Sequence, residues 1–260
     1  MSLLNSVKPQ NEDRFSLVGV GLRHHHYHEA LKGTSIIDFV EVHAENFIAE
    51  GGVLKTLLED INKMYSISLH STSMGLGSVT GVNSSYLTKL HDLVKKINPL
   101  LVSDHACFAW GEVNGARVHA GDLLPVEFSH QSLNVLAENV DRVQQTLGRQ
   151  ILVENLSAYL QIGKNTLTET EFLTRLVQRT QCGLLVDLNN ILVNLHNESE
   201  LNAMDMAEKW LSEVPTNAVG EIHLAGYAEV GSDDLIIDDH SQPVSDECWE
   251  LYAHAIERFG

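Results

Sequence analysis

Gly220-Glu-Ile-His-Leu-Ala-Gly-Tyr227 is the stretch on which the reading of the fold turns. Val219, Ile222 and Leu224 are apolar, so the segment reads as a buried strand, while Glu221 and His223 sit two apart and face the same side. A carboxylate and an imidazole buried without partners cost several kcal/mol, so such a strand end must serve chemistry or satisfy both groups. Downstream, Asp238 and His240 repeat the carboxylate-x-imidazole spacing. Groups of this kind closing together suit iron, manganese or zinc.

The same pattern recurs upstream. Apolar strands are expected over residues 17–22, 36–43, 66–70, 100–105, 151–155, 183–190 and 219–224. Helical periodicity falls between them: Leu54, Leu57, Leu58 and Ile61 share one face, and Asn83 caps a helix that stops before Pro99. Ser129 opens a long helix that Gly148 closes, and Thr168-Glu-Thr-Glu171 is a capping box. Further helices are expected over 201–211 and 245–258. Val113-Asn-Gly-Ala116 signals a hairpin inside the long segment 106–125.

Strands this apolar, alternating with helices, belong to a parallel sheet covered on both faces. Over 260 residues an α/β fold of the (β/α) TIM type is favoured over an open doubly wound sheet. Gly19-Val-Gly21 continues as Leu-Arg-His and lacks the third glycine of a dinucleotide fingerprint. Seven strands are counted and the usual eighth is absent, so the expected barrel is open or closed by something outside this sequence. It forms one domain over 1–260, with 1–14 a flexible N-terminal segment.

The net charge of −18 repels phosphate backbones and argues against nucleic acid. No apolar run is long enough for a membrane span, and the N-terminus has no signal-peptide pattern, so the expected setting is cytoplasmic. Cys107, Cys182 and Cys248 are too dispersed for a disulfide framework or a zinc ribbon and read as buried thiols. The 14 histidines against only 17 Lys plus Arg point to metal binding for some of them.

Ionisable and amide side chains fall at the C-terminal ends of six consecutive strands: Glu41/His43, His70, Asp104/His105, Glu154/Asn155, Asp187/Asn189 and Glu221/His223. That rim is where barrel enzymes build their sites, and packing alone does not explain six repetitions. Glu221 and His223 compete for one position, whereas Asp104 and His105 should point to opposite faces unless the strand has already ended. Glu41, His43, Asn155 and Asn189 could equally support the ligands by hydrogen bonding.

A set of motifs in order resembles the multinuclear non-heme iron-dependent oxidative enzymes (MbnB/TglH-like). They are Gly-Leu-Arg23 with His26-Tyr27, Glu41-Val-His-Ala-Glu-Asn-Phe47, Ser68-Leu-His70, Val102-Ser-Asp-His105 and Leu152-Val-Glu-Asn155. Val186-Asp-Leu-Asn-Asn190, Gly220-Glu-Ile-His-Leu-Ala-Gly226 and Ile237-Asp-Asp-His-Ser-Gln-Pro-Val244 complete the set. The resemblance implies a barrel with two or three irons on His70, His105, Glu154, Asp187, His223, Asp238 and His240, Glu154 bridging. His26, Glu41, His43, Asn46, Asp104, Asn155, Asn189 and Glu221 are the supporting candidates. It also implies dioxygen as co-substrate, oxidation of cysteines in a ribosomally made precursor peptide, and a small partner protein that binds the leader. Two departures stand out: His25 occupies a place that is usually proline, and the acidic pair of an eighth strand is not in this sequence, which is expected to be a truncated form or to have a depleted site. The alternative is a divalent-metal-dependent barrel hydrolase or isomerase, or a metal-binding barrel without activity.

Overall fold

The computed structural model describes residues 16–33, 36–49, 53–198, 202–228 and 235–260, and the N-terminal segment 1–14 lies outside them. Strands β1 (Gly19–Gly21), β2 (Phe39–His43), β3 (Ser66–His70) and β4 (Leu101–His105) are followed by an antiparallel hairpin of β5 (Cys107–Val113) and β6 (Ala116–Pro125). Then come β7 (Leu152–Glu154), β8 (Gly183–Asp187) and β9 (Val219–His223). Apart from the hairpin, the strands form one seven-stranded sheet in the order β1-β2-β3-β4-β7-β8-β9. Every neighbouring pair in it is parallel. Among the described residues this is a (β/α) TIM-type barrel with seven strands and without the eighth. Among the described residues no strand pairs with the outer edge of β1 or of β9.

Each crossover within the seven-stranded sheet carries helix: α1 (Tyr27–Ala30), α2 (Glu45–Ile48), α3 (Val53–Ile61), α4 (Ser84–Ile97), α5 (His130–Leu147), α6 (Glu169–Thr180), α7 (Leu188–Asn197) and α8 (Ala203–Glu213), and α9 (Asp246–Phe259) follows β9. The alternation of each strand decides its two faces. In β3, Ile67 and Leu69 join the hydrophobic layer under the helices, while Ser68 and His70 hydrogen-bond across the lumen. Residues such as Leu58, Leu90, Leu136, Phe172 and Leu192 bury the helix faces against that layer.

Local chemistry sets the element ends. Asn83 accepts from the amides of Ser85 and Tyr86 to start α4, and the left-handed Asn98 stops it. Asn114 and Gly115, at φ 53° and 78°, make the tight turn between β5 and β6. The strand expected over 183–190 stops at Asp187. Its carboxylate accepts from the Asn190 amide at 2.7 Å and so caps α7, which draws Leu188, Asn189 and Asn190 into helix. The strand expected from residue 36 begins at Phe39, and the triple histidine is a single 3-10 turn, exposed to solvent.

The hairpin leans back over the loop after β3. Trp110 donates its ring N–H to the Ser73 carbonyl at 2.9 Å, and the Gly77 amide donates to the Cys107 carbonyl at 2.7 Å. Asn139 of α5 holds the same loop through the Leu76 and Ser78 carbonyls. The loop beside the site rim is thus tied at both sides.

Thr168 and Glu171 form the reciprocal capping box that the sequence predicts. Thr168→Ala should lower the unfolding free energy by about 1 kcal/mol, read from urea denaturation, because the Glu171 amide loses its acceptor.

Candidate metal centre

Parallel register lines up the strand ends. His43 pairs with His70, His70 with Ser103, His105 with Glu154 and Asp187 with His223. The result is a ring of polar side chains on one rim of the lumen, carried by β2, β3, β4, β7, β8 and β9.

Glu154 is at its centre, only 2% exposed. Its Oε2 lies 3.4 Å from His70 Nε2 and 3.2 Å from His105 Nε2, and its Oε1 lies 3.7 Å from His223 Nδ1. Asp187 approaches the same His223 nitrogen at 3.8 Å. These side chains form two donor groups that can hold an ion, His70–His105–Glu154 and Glu154–Asp187–His223, with Glu154 in both. The Oε2 atom of Glu154 is buried and has no hydrogen bond. Two donors about 2.1 Å from one tetrahedral ion lie about 3.4 Å apart, so the separations around Glu154 suit ligands that share an ion. The residues fit a divalent metal.

A third group, Glu41–Glu221–His223, lies on the other side of the His223 ring. His223 Nε2 is 3.1 Å from Glu41 Oε1, and the Ser68 hydroxyl donates to Glu41 at 3.2 Å. Glu221 and His223 therefore do not compete for one place: both face the lumen. Asp104 and His105 leave the strand on opposite sides, yet His105 Nδ1 stays 3.6 Å from Asp104 Oδ1. Asp104 accepts from the amides of Met74 and His105, while His105 Nε2 turns to Glu154.

The remaining candidates sit as follows. Asn155 clasps Asp187 through both backbone groups, accepting from its amide at 2.8 Å and donating to its carbonyl at 3.0 Å. Asn189 donates to Asp238 at 2.7 Å, and His240 Nε2 stands 3.0 Å from Asp238 Oδ1. His240 is exposed with φ 52°, and the pair lies outside the three-donor groups. His43 meets Arg23 at 3.2 Å and stacks edge-on with His70. His26 and Asn46 are exposed, and His26 contacts Glu29 at 3.4 Å.

Two hydroxyls to which the sequence reading assigned no role complete the rim. Ser103 bonds His70 Nδ1 at 2.8 Å and so leaves Nε2 toward Glu154, and Ser68 steadies Glu41. Each stands two residues before a strand-end histidine, the spacing that places it on the same face. Glu45 also belongs here, accepting from Tyr86 at 2.6 Å and from the Thr72 amide at 3.0 Å.

Without ions the groups hold protons against one another. Burial pushes Asp104 up to about 6, burial and Glu154 push Asp187 to about 7, and burial and Glu41 push Glu221 to about 8. Burial works against protonated His105 and His223. The carboxylates beside them prevail, lifting His105 to about 9 and His223 well above its usual range. Burial and the neighbouring imidazoles hold His70 well below it.

Fold and site together define a metal-binding (β/α) barrel. The family profile described as "RiPP precursor modification enzyme MbnB/TglH/ChrH" matches residues 17–260, and the chain belongs to that family. Relatives described as UPF0276 proteins occur in Rhizorhabdus wittichii, 39% identical over 94% of this chain and 84% of the relative, and in Acaryochloris marina, 40% identical over 93% and 83%. Among solved structures, a D-allulose 3-epimerase from Methylomonas sp. shares the fold at a TM-score of 0.54 and 14% identity, over 94% of this chain and 81% of that one. An L-ribulose 3-epimerase does so at 0.52 and 12%, over 81% and 70%.

These findings correct the expectation of an iron- and dioxygen-dependent oxidase of peptide cysteines. The curated relatives named above are described only as UPF0276 proteins, and the two solved epimerases share the fold alone. The donor groups are sets of imidazole nitrogen and carboxylate oxygen, which serve zinc, manganese and iron alike. The oxidoreductase and peptide-oxidation readings give way to the coarser one, a metal-binding barrel. Among the described residues no helix is long and apolar enough to cross a membrane.

Ser103→Ala should weaken divalent-ion binding by roughly 10- to 100-fold in a titration, because His70 loses the partner that orients it. The metal-free protein should melt at a lower temperature at about pH 8 than at about pH 5. Asp104, Asp187 and Glu221 have raised folded pKa values, so the stability they confer is present in acid and lost as pH rises through about 6 to 8. The raised His105 and His223 add to that loss at higher pH, and the lowered His70 opposes it.

Proposed function

We propose that this protein is a divalent-metal-dependent barrel enzyme of the isomerase or hydrolase type. The observation that carries the reading is the sharing of Glu154 by two donor groups. One ion would lie on His70, His105 and Glu154, and a second on Glu154, Asp187 and His223, with Asp238 and His240 as further donors at the solvent side. Zinc, manganese or ferrous iron would suit these nitrogen and oxygen donors. Bound there, such ions supply Lewis acidity, which polarises a substrate oxygen or acidifies a bound water.

The chain's own residues do the rest. Ser103 and Glu41 fix the rings of His70 and His223. Asn155 holds the backbone at Asp187, so that its carboxylate stays at the rim while it caps α7. The proton on Asp187 leaves when an ion arrives, so ion uptake strengthens as pH rises through neutrality. The buried free thiols Cys107, Cys182 and Cys248 support a cytoplasmic setting.

The substrate must present polar oxygens to the rim. The family's description names precursor peptides as what its members modify, so two substrate classes are set against each other in the test. One is a ketose. The other is a cysteine-containing precursor peptide, supplied with and without a small leader-binding partner protein.

The test begins with metal content. Protein loaded with zinc, manganese or ferrous iron should hold ions that Glu154→Gln releases together, measured by plasma mass spectrometry, while the circular dichroism spectrum stays unchanged. The loaded protein should then isomerise or hydrolyse one of the two substrates under nitrogen, and Glu154→Gln should not. Full ion content in Glu154→Gln, or turnover only when dioxygen is admitted, would overturn the proposal.

A further inference from the structure

The donor pair around Glu154 uses only one nitrogen of His223. The other, Nε2, points to Glu41 Oε1 at 3.1 Å, and Glu221 completes a second set of donors on that side of the ring. We propose that Glu41, Glu221 and the Nε2 atom of His223 form a further divalent-cation site, so that with both sites filled His223 lies between two ions as an imidazolate, its two ring protons released to solvent as the ions bind. The proposal rests on the reading of the Glu154 pair only in that both use His223.

Three observations carry it. Glu41 comes from β2 and Glu221 from β9, strands that are not neighbours, and both carboxylates turn into the same side of the lumen. Glu221 is only 9% exposed and its Oε2 has no hydrogen bond, so a buried carboxylate oxygen is left without a partner next to a second carboxylate. The approach of Glu41 to His223 also resembles that of Glu154 to His105, at 3.1 and 3.2 Å. Both separations fall within the spacing of roughly 3.4 Å or less that donors adopt around one small ion.

A hydrogen bond from His223 to Glu41 would explain the first contact. It would leave Glu221 Oε2 without a partner, because the Ser68 hydroxyl, which faces both carboxylates, has one proton and the imidazole offers that side one N–H. An ion on two carboxylates and one imidazole neutralises both acids and uses the orphaned oxygen. The donors are hard and borderline, so the cation is manganese, zinc or ferrous iron rather than a soft monovalent metal.

The test uses manganese alone. Crystals of the metal-loaded protein measured at the manganese edge should show one anomalous peak among Glu41, Glu221 and His223, besides those around Glu154. Glu221→Gln keeps the volume and removes the charge. It should lose that peak and one equivalent of manganese, with the peaks around Glu154 retained. No peak at Glu41 and Glu221 in the unaltered protein, with ions present at Glu154, overturns this site and leaves the Glu154 pair standing. An unchanged manganese content in Glu221→Gln does the same, and manganese at neither place overturns this site, with the Glu154 pair then decided by its own zinc and iron loading. If Glu221→Gln does not fold, the anomalous map of the unaltered protein decides.

Discussion

One buried carboxylate organises the interior of this barrel. Glu154 is enclosed by three imidazoles from three other strands, and its charge can be kept in that place only by cations or protons. The strands carrying those imidazoles therefore have to end at the same height. Parallel register sets that height, because His105 pairs directly with Glu154, and His70 lies one strand further along. The short strands, the tied loop after β3 and the cap at Asp187 all hold that arrangement. The core beneath is ordinary aliphatic packing between sheet and helices.

The arrangement has a cost in the metal-free state. Carboxylates that would be ionised in water are pushed up toward neutrality by burial and by one another, and the protein keeps protons in place of cations. Ion binding and protonation are therefore competing ways of satisfying the same oxygens. Site formation opposes stability at neutral pH unless an ion is supplied, as is usual for functional clusters of like charge.

Much of this was legible along the chain. Apolar runs ending in His70, His105 and His223 announced both the strands and the rim, since alternation alone places a residue on the lumen face. Asn83, Ser129, Gly148 and Thr168 announced helix ends through local hydrogen bonding, and the structure keeps all four in those roles. The strand through Asp187 ran on too far because Leu188 and Ile191 continue its apolar run, and only the side-chain bond from Asp187 to the Asn190 amide reveals a helix start. Ser68 and Ser103 stand in the strand-end motifs without an assigned role, since a serine inside an apolar strand carries no sign of its partner. Iron, dioxygen and cysteine chemistry came with a family resemblance. The donors themselves do not discriminate among divalent metals.

The order of strands and helices, the covered parallel sheet and the rim on which the ionisable groups fall all follow from sequence, because they depend on periodicity and on contacts between near neighbours. Which of those groups meet is a different matter. Glu41 reaches His223 from a strand 182 positions away, Glu154 stands between residues of β3, β4 and β9, and Asp238 is held by Asn189 of α7. Such encounters depend on the curvature of the sheet and on how far it closes around the lumen. Those are properties of all the strands together, and no single stretch of residues encodes them.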